Sequence, residues 1–285
     1  MKNIYILVLI AVIACSSCMA PPIQLTPTIP VISRQRPARM LSSFFGLDNA
    51  LPPNSVVLWL QAPGKDGMPV VFTHEIDPST LSANVFRITT RNDSTFTPAF
   101  VTLSPANEEF ELRTVLLIGE YGNAPQNPPL SLQIVGDLKT RDGQNLKGST
   151  IDIIPLEEGP TVVYAEYFVL DNAYPFVASG RGCDCPKERT TTVVRAVWSG
   201  GVRALSGEEL GERERSKFRV YLRRGADTIM VHPYHLADLN DNDNNIDLCI
   251  SEQGTPLWLE VEAHTAIDPR DDKNPFTKCL IVSRW

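Results

Sequence analysis

Val85-Phe86-Arg87-Ile88-Thr89 reads as one strand of a sheet with one wet face: Phe86 and Ile88 alternate with Arg87 and Thr89. In an extended chain successive side chains leave opposite faces, so this alternation separates an apolar side from a polar one. Leu132-Gln133-Ile134 repeats the pattern, and β-type runs recur at Val56–Leu60, Val70–Phe72, Phe100–Leu103, Thr114–Ile118, Leu130–Val135 and Thr150–Ile154. Gly64-Lys65-Asp66-Gly67 and Asp142-Gly143 supply the positive-φ positions of tight turns. Seven strands in about 100 residues imply an antiparallel sandwich.

Beyond this region, Glu157-Glu158-Gly159-Pro160 is polar, ends in Gly-Pro and precedes a new β-rich stretch, Thr161–Leu170. Strand candidates continue at Thr191–Trp198, Phe218–Leu222, Thr228–Val231, Ile246–Ile250, Leu257–Val261 and Cys279–Val282. The charged stretch Ser206–Lys217 between two of them reads as a solvated excursion. The expected fold class is all-β, with two Ig-like antiparallel β-sandwich domains, 44–157 and 158–285. A signal peptide, 1–14, and a Pro-rich linker, 15–43, precede them.

Phe72-Thr73-His74-Glu75-Ile76-Asp77-Pro78-Ser79-Thr80, then Phe86, and later Asp142-Gly143-Gln144-Asn145-Leu146, resemble the bacterial Ig-like domains of surface and surface-layer proteins. Those domains show Phe-Ser-x-x-Val/Ile-Asp-Pro-Ser-Thr, a following Phe-x-Val strand and a late Asp-x-x-Gly-x-x-Leu turn. The likeness covers residues 54–155; His74-Glu75 departs from the usual Ser-Glu-Pro, and the Asp-Gly turn is tighter. The resemblance implies a sandwich serving as spacer, adhesive module or carbohydrate-binding accessory, among which fold does not choose.

At the N-terminus, Lys2 precedes an apolar run from Ile4 to Ala14. This run is about half the ~20 residues a spanning helix needs, so it reads as a signal peptide. Val12-Ile13-Ala14-Cys15 resembles the lipobox of bacterial lipoproteins. That resemblance implies cleavage before Cys15, lipidation of Cys15 and attachment to a membrane of the cell envelope through acyl chains. Ordinary cleavage after Ala20 is the alternative, disfavoured by Pro21 beyond the cut. Ser16, in a Gram-negative host, favours the outer membrane. Pro21, Pro22, Pro27, Pro30 and Pro37 make the following segment a stiff, extended spacer.

The chain has 285 residues, a net charge of −7 and a pI near 5.2, which excludes the basic footprint of a nucleic-acid partner. Besides Cys15 and Cys18 there are Cys183, Cys185, Cys249 and Cys279. In an exported protein these read as disulfides, with Cys183 and Cys185 each reaching one of the distant pair. Zinc is the alternative for the same four thiols, although Cys-Asp-Cys is not the usual C-x-x-C spacing.

Asp238-Leu239-Asn240-Asp241-Asn242-Asp243-Asn244-Asn245-Ile246-Asp247 brings oxygen ligands close enough to hold a structural calcium ion, with Asp238, Asp241, Asp243 and Asp247 as candidates. It lacks the glycine and glutamate of an EF-hand loop, and an Asx-rich turn is the competing reading. His232 and His235 are spaced for a transition metal, but Pro233 prevents the helix that would align them. Trp59, Trp198, Trp258 and Trp285, with Tyr164, Tyr167 and Tyr174, form a sugar or peptide platform only if exposed. No Gly-x-Ser-x-Gly, P-loop or dinucleotide fingerprint occurs. The expectation is a lipid-anchored, non-enzymatic binding, adhesive or structural module with an envelope protein or glycan as partner. The alternative is a calcium- or metal-dependent envelope hydrolase.

Overall fold

The computed structural model describes residues 36–108, 110–169, 183–237 and 243–284. The signal peptide, Cys15 and most of the Pro-rich linker lie outside the described residues, as do Asp238, Asp241, Tyr174 and Trp285.

The chain is all-β. Its first eight strands are β1 (Met40–Ser43), β2 (Asp66–Phe72), β3 (Phe86–Thr90), β4 (Thr95–Phe96), β5 (Phe100–Thr102), β6 (Thr114–Gly119), β7 (Pro129–Ile134) and β8 (Thr150–Asp152). They form two four-stranded sheets, β1-β2-β6-β5 and β4-β3-β7-β8. The alternation in β3 puts Phe86 and Ile88 inside, against Leu132 and Ile134 of β7 and Val70, Phe72, Val115 and Leu117 of the facing sheet. Asp77 starts a short 3-10 turn by accepting the Ser79 N–H at 3.0 Å, and Gly143 takes φ +90° at its turn.

Besides the two-residue β4, which the sequence reading does not include, two longer stretches differ from it. Met40–Ser43, expected within the linker, is strand β1, paired with Phe72–Val70. Val56–Leu60, expected as a strand, lies in and just after a 3-10 turn over Pro53–Val57, because prolines at 52 and 53 direct the backbone away from extension. Its side chains gain no partner strand: Val57 is 84% and Leu60 81% exposed.

The second set comprises β9 (Val162–Phe168), β10 (Thr192–Trp198), β11 (Arg203–Ala204), β12 (Phe218–Arg224), β13 (Asp227–Val231), β14 (His235–Ala237), β15 (Asn245–Ile250), β16 (Thr255–Val261), β17 (Ala266–Ile267) and β18 (Thr277–Ser283). Eight of these follow one another in the order β13-β12-β16-β18-β9-β10-β15-β14, and β11 pairs with β17. The long sheet folds over on itself, since Val194, Ala196, Trp198, Ile246 and Leu248 share one core with Phe218, Val220, Leu259 and Val261.

The corner is β18. Thr277–Leu280 run antiparallel to Val261–Trp258 of β16, whereas Ile281–Ser283 run parallel to Ala165–Tyr167 of β9. A strand that leaves one layer for the other closes a sandwich at its edge.

The two halves are packed together. Phe44 is 1% exposed, and a Cβ at Gly200 would come 3.0 Å from its ring. Asn244 donates to Thr114 Oγ1 at 3.0 Å and to the Trp198 carbonyl at 2.7 Å, tying β6 to β10. At the expected boundary a Cβ on Gly159 would sit 2.0 Å from the Lys273 carbonyl oxygen, so only glycine fits that close approach.

Cys185 bonds Cys249 with a Cα–Cα distance of 5.6 Å across a separation of 64 residues, a closure that stabilises by about 4 kcal/mol on the chain-entropy account. The expectation that Cys183 and Cys279 are also bridged is corrected, for both are free thiols. Cys183 packs beside the bond among Phe168, Val193 and Ala237, whereas Cys279 faces Leu259 from β18. The strand order puts β9 and β10 between β18 and β15, which is too far for a disulfide.

Candidate functional site: a charged cleft between the halves

Isolated charges inside apolar strands build the floor of the site. Glu166 in β9, Arg195 in β10 and Asp247 in β15 stand opposite one another across three neighbouring strands. Arg195 donates to both Asp247 oxygens at 2.7 and 2.8 Å, and its Nη1 lies 3.0 Å from Glu111. Glu166, 1% exposed, receives Arg113 Nη2 on both oxygens at 3.1 Å, and also Arg284. Arg284 continues to Glu75, and Tyr164 donates to Glu166 at 3.3 Å. Arg113 caps the end of β2 by donating to the Thr73 carbonyl at 2.8 Å and lies 4.5 Å from the centre of the Tyr164 ring.

Burial alone would raise the Glu166 carboxyl, but Arg113, Arg284 and Arg195 outweigh it and hold the group below the usual carboxylate range. Burial, reinforced by Glu166, pushes the Tyr164 phenol up to about 12. Burial works against the Arg113 charge as well, and Glu166, Tyr164 and Glu75 overcome it. Such a network adds little net stability over apolar packing, yet each charge requires its partners, which fixes how the halves meet.

Above this floor opens a cleft of about 670 Å³. One wall is the entry to β1, Arg36 to Leu41, with Thr73–Glu75 and the Arg141–Asp142 turn; the other is the start of β9, Val162–Tyr164, and β18. Six cations line it (Arg36, Arg39, Arg113, Arg141, Lys278, Arg284) against three carboxylates (Glu75, Asp142, Glu166), in a chain whose net charge is −7. Arg141 reaches Glu75 at 3.3 Å and Lys278 reaches Glu260 at 3.0 Å. The Arg36 and Arg39 guanidinium groups have no partner among the described residues and are exposed.

No protein-family model matches the chain, and no curated protein matches it. Among solved structures it is similar to the N-terminal part of the bacterial S-layer protein SbsC, with a TM-score of 0.30 and 12% identity, over 77% of this chain and 45% of that one. The S-layer protein rSbsC(31-844) gives the same TM-score and identity over 85% of this chain and 34% of that one. The chain thus spans less than half of the S-layer structures it matches, and likeness at this level identifies neither a family nor a function.

The sequence candidates for calcium are not brought together among the described residues. Asp247 is committed to Arg195, which corrects its assignment as a ligand: a carboxylate on a central strand is held by the guanidinium beside it. Asp243 accepts the Asn245 N–H at 2.6 Å and its Nδ2 at 2.5 Å, an Asx turn leading into β15. His232 Nδ1 lies 2.8 Å from the Phe218 carbonyl oxygen, and His235 opens β14.

Among the described residues the tryptophans do not join into a sugar platform. Trp198 is fully buried, and Trp59 stacks on Phe100 at 5.7 Å. Trp258 has Tyr221 stacked at 4.4 Å and the Lys278 ammonium 4.6 Å from its ring centre; these come from strands on opposite sides of β16, so both faces are covered. A sugar needs an open ring face. In the cleft, burial pushes the Cys279 thiol up to about 11, which keeps it protonated at neutral pH. Thr73 Oγ1 lies 2.8 Å from His74 Nδ1 but also accepts the Arg39 N–H at 3.0 Å, so it serves the β1–β2 edge.

Proposed function

We propose that the protein is a lipid-anchored module of the cell envelope, most consistent with the outer membrane, that binds a ligand without transforming it. The observation that carries the binding role is the cleft: a recessed, cation-rich space whose floor is a buried ion network spanning both halves of the chain. Fixed charge in a concave site concentrates an oppositely charged ligand and orients it. Anchoring rests on Val12-Ile13-Ala14-Cys15, and a proline-rich composition such as that of the stretch after it suits a spacer between an anchor and a folded part. The partner is an envelope polymer, protein or glycan.

Two measurements test this. Labelling cells with radioactive palmitate must mark the protein and must fail for Cys15→Ala, with Cys18 still present. The purified full chain in detergent must bind isolated cell envelopes, and Arg36→Glu with Arg39→Glu must weaken that binding while Arg87→Glu, an exposed cation on β3, must not. Equal binding by all three proteins sinks the assignment of the cleft.

A further inference from the structure

Two strands part inside this cleft. β18 pairs with β9 only from Ile281 onward, opposite Ala165. Before that point Thr277–Leu280 follow β16, while Val162–Tyr164 pair with β10. Among the described strands, therefore, each arm of the fork has a partner on one side and none on the other. The cleft is lined by these arms, Val162–Tyr164 on one and Lys278–Leu280 on the other. Unpaired strand edges are templates for another extended chain, and main-chain hydrogen bonds supply the affinity.

Charge selects what enters. Arg36 and Arg39 stand unpartnered at the mouth, and Arg141 and Lys278 are each about half exposed, at 51% and 50% of their side chains. Leu280, 73% exposed, and Val163 offer apolar contact between them. The chain's own proline-rich stretch, 16–35, is no complement, since it contains one arginine, no carboxylate and four prolines, at positions 21, 22, 27 and 30, that have no N–H to give.

We infer that the fork is a groove for an acidic, extended polypeptide segment, which adds as a strand to the open edges of β9 and β18 and places alternate carboxylates against the four exposed cations. This rests on the binding role proposed above and names its ligand class.

The full chain in detergent is titrated calorimetrically with a short peptide of alternating glutamate and valine. Further probes are the same peptide with lysine for glutamate, the acidic peptide N-methylated at alternate amides, and an oligogalacturonate of similar charge. The acidic peptide is expected to bind roughly tenfold or more tighter than the other three, and Arg36→Glu with Arg39→Glu is expected to remove that margin while Arg87→Glu preserves it. Equal binding of the N-methylated peptide overturns strand addition. Preference for the oligogalacturonate overturns the polypeptide and leaves the cleft as an anionic-glycan site. Failure of every probe, with envelope binding still sensitive to Arg36 and Arg39, overturns this inference alone. If envelope binding is insensitive as well, the binding role of the cleft falls with it.

Discussion

Glu166 carries three cationic neighbours on one carboxylate with almost no water, and its loss would strand Arg113 and Arg284. Glu166→Ala is expected to cost about 3–5 kcal/mol in urea unfolding, the range for removing one member of a buried ion pair. Because its folded pKa lies below the ordinary value of 4.5, its contribution is complete above pH 4.5 and is lost as pH falls through the folded value. Asp66 has the opposite sign. Burial raises it from 3.8 to about 6 despite the N–H groups of Asn49 and Tyr121 that point at it, at 2.7 and 2.5 Å. Its contribution is therefore complete below pH 3.8 and is lost as pH rises through about 6. Between pH 5 and 7 the wild type should lose melting temperature relative to Asp66→Asn; parallel profiles would show that Asp66 does not titrate there. The sequence carries a signal for the network. Glu166, Arg195 and Asp247 are each a lone charge in an apolar strand, and strands scanned for their apolar positions yield a core but not the charges facing each other across it.

At the scale of elements, alternation located most strands because a half-buried sheet imposes a period of two on the chain, as in Phe86-Arg87-Ile88. It does not hold at Val56–Leu60, where apolar composition suggests a strand but prolines at 52 and 53 decide the conformation. It failed also at Met40–Ser43, whose proline-rich approach disguises β1. The consequence is measurable. Phe44, fully buried with its ring against Gly200, should cost about 3–5 kcal/mol as Phe44→Ala, whereas Val57→Ser and Leu60→Ser should each stay within about 0.5 kcal/mol of wild type. A large loss from either surface change would mean that the turn is covered by something outside the described residues.

On the scale of the molecule, the cleft had no sequence signature because its walls come from positions as distant as Arg36 and Arg284, and its cations read singly as surface residues. The disulfide was half legible: four thiols were visible, but the strand order that keeps Cys279 away from the others is a tertiary fact. Deleting residues 277–285 should abolish both the cleft and the cooperative unfolding of 161–276, since β18 supplies one wall and joins the two layers. A sharp calorimetric transition retained by that deletion would show that the layers close without it.

The same strand sets a timetable. Ile281 and the Ala165 it faces are 116 residues apart in the chain, and pairing across such a span is slow to form. A polypeptide threaded across a membrane from its N-terminus would deliver β9 before the other described strands of this half and β18 after them, and the second sandwich would stay open until then. An open chain is what a translocation channel accepts. Under the export proposed above, a closing strand that arrives last would keep the second sandwich open to such a channel.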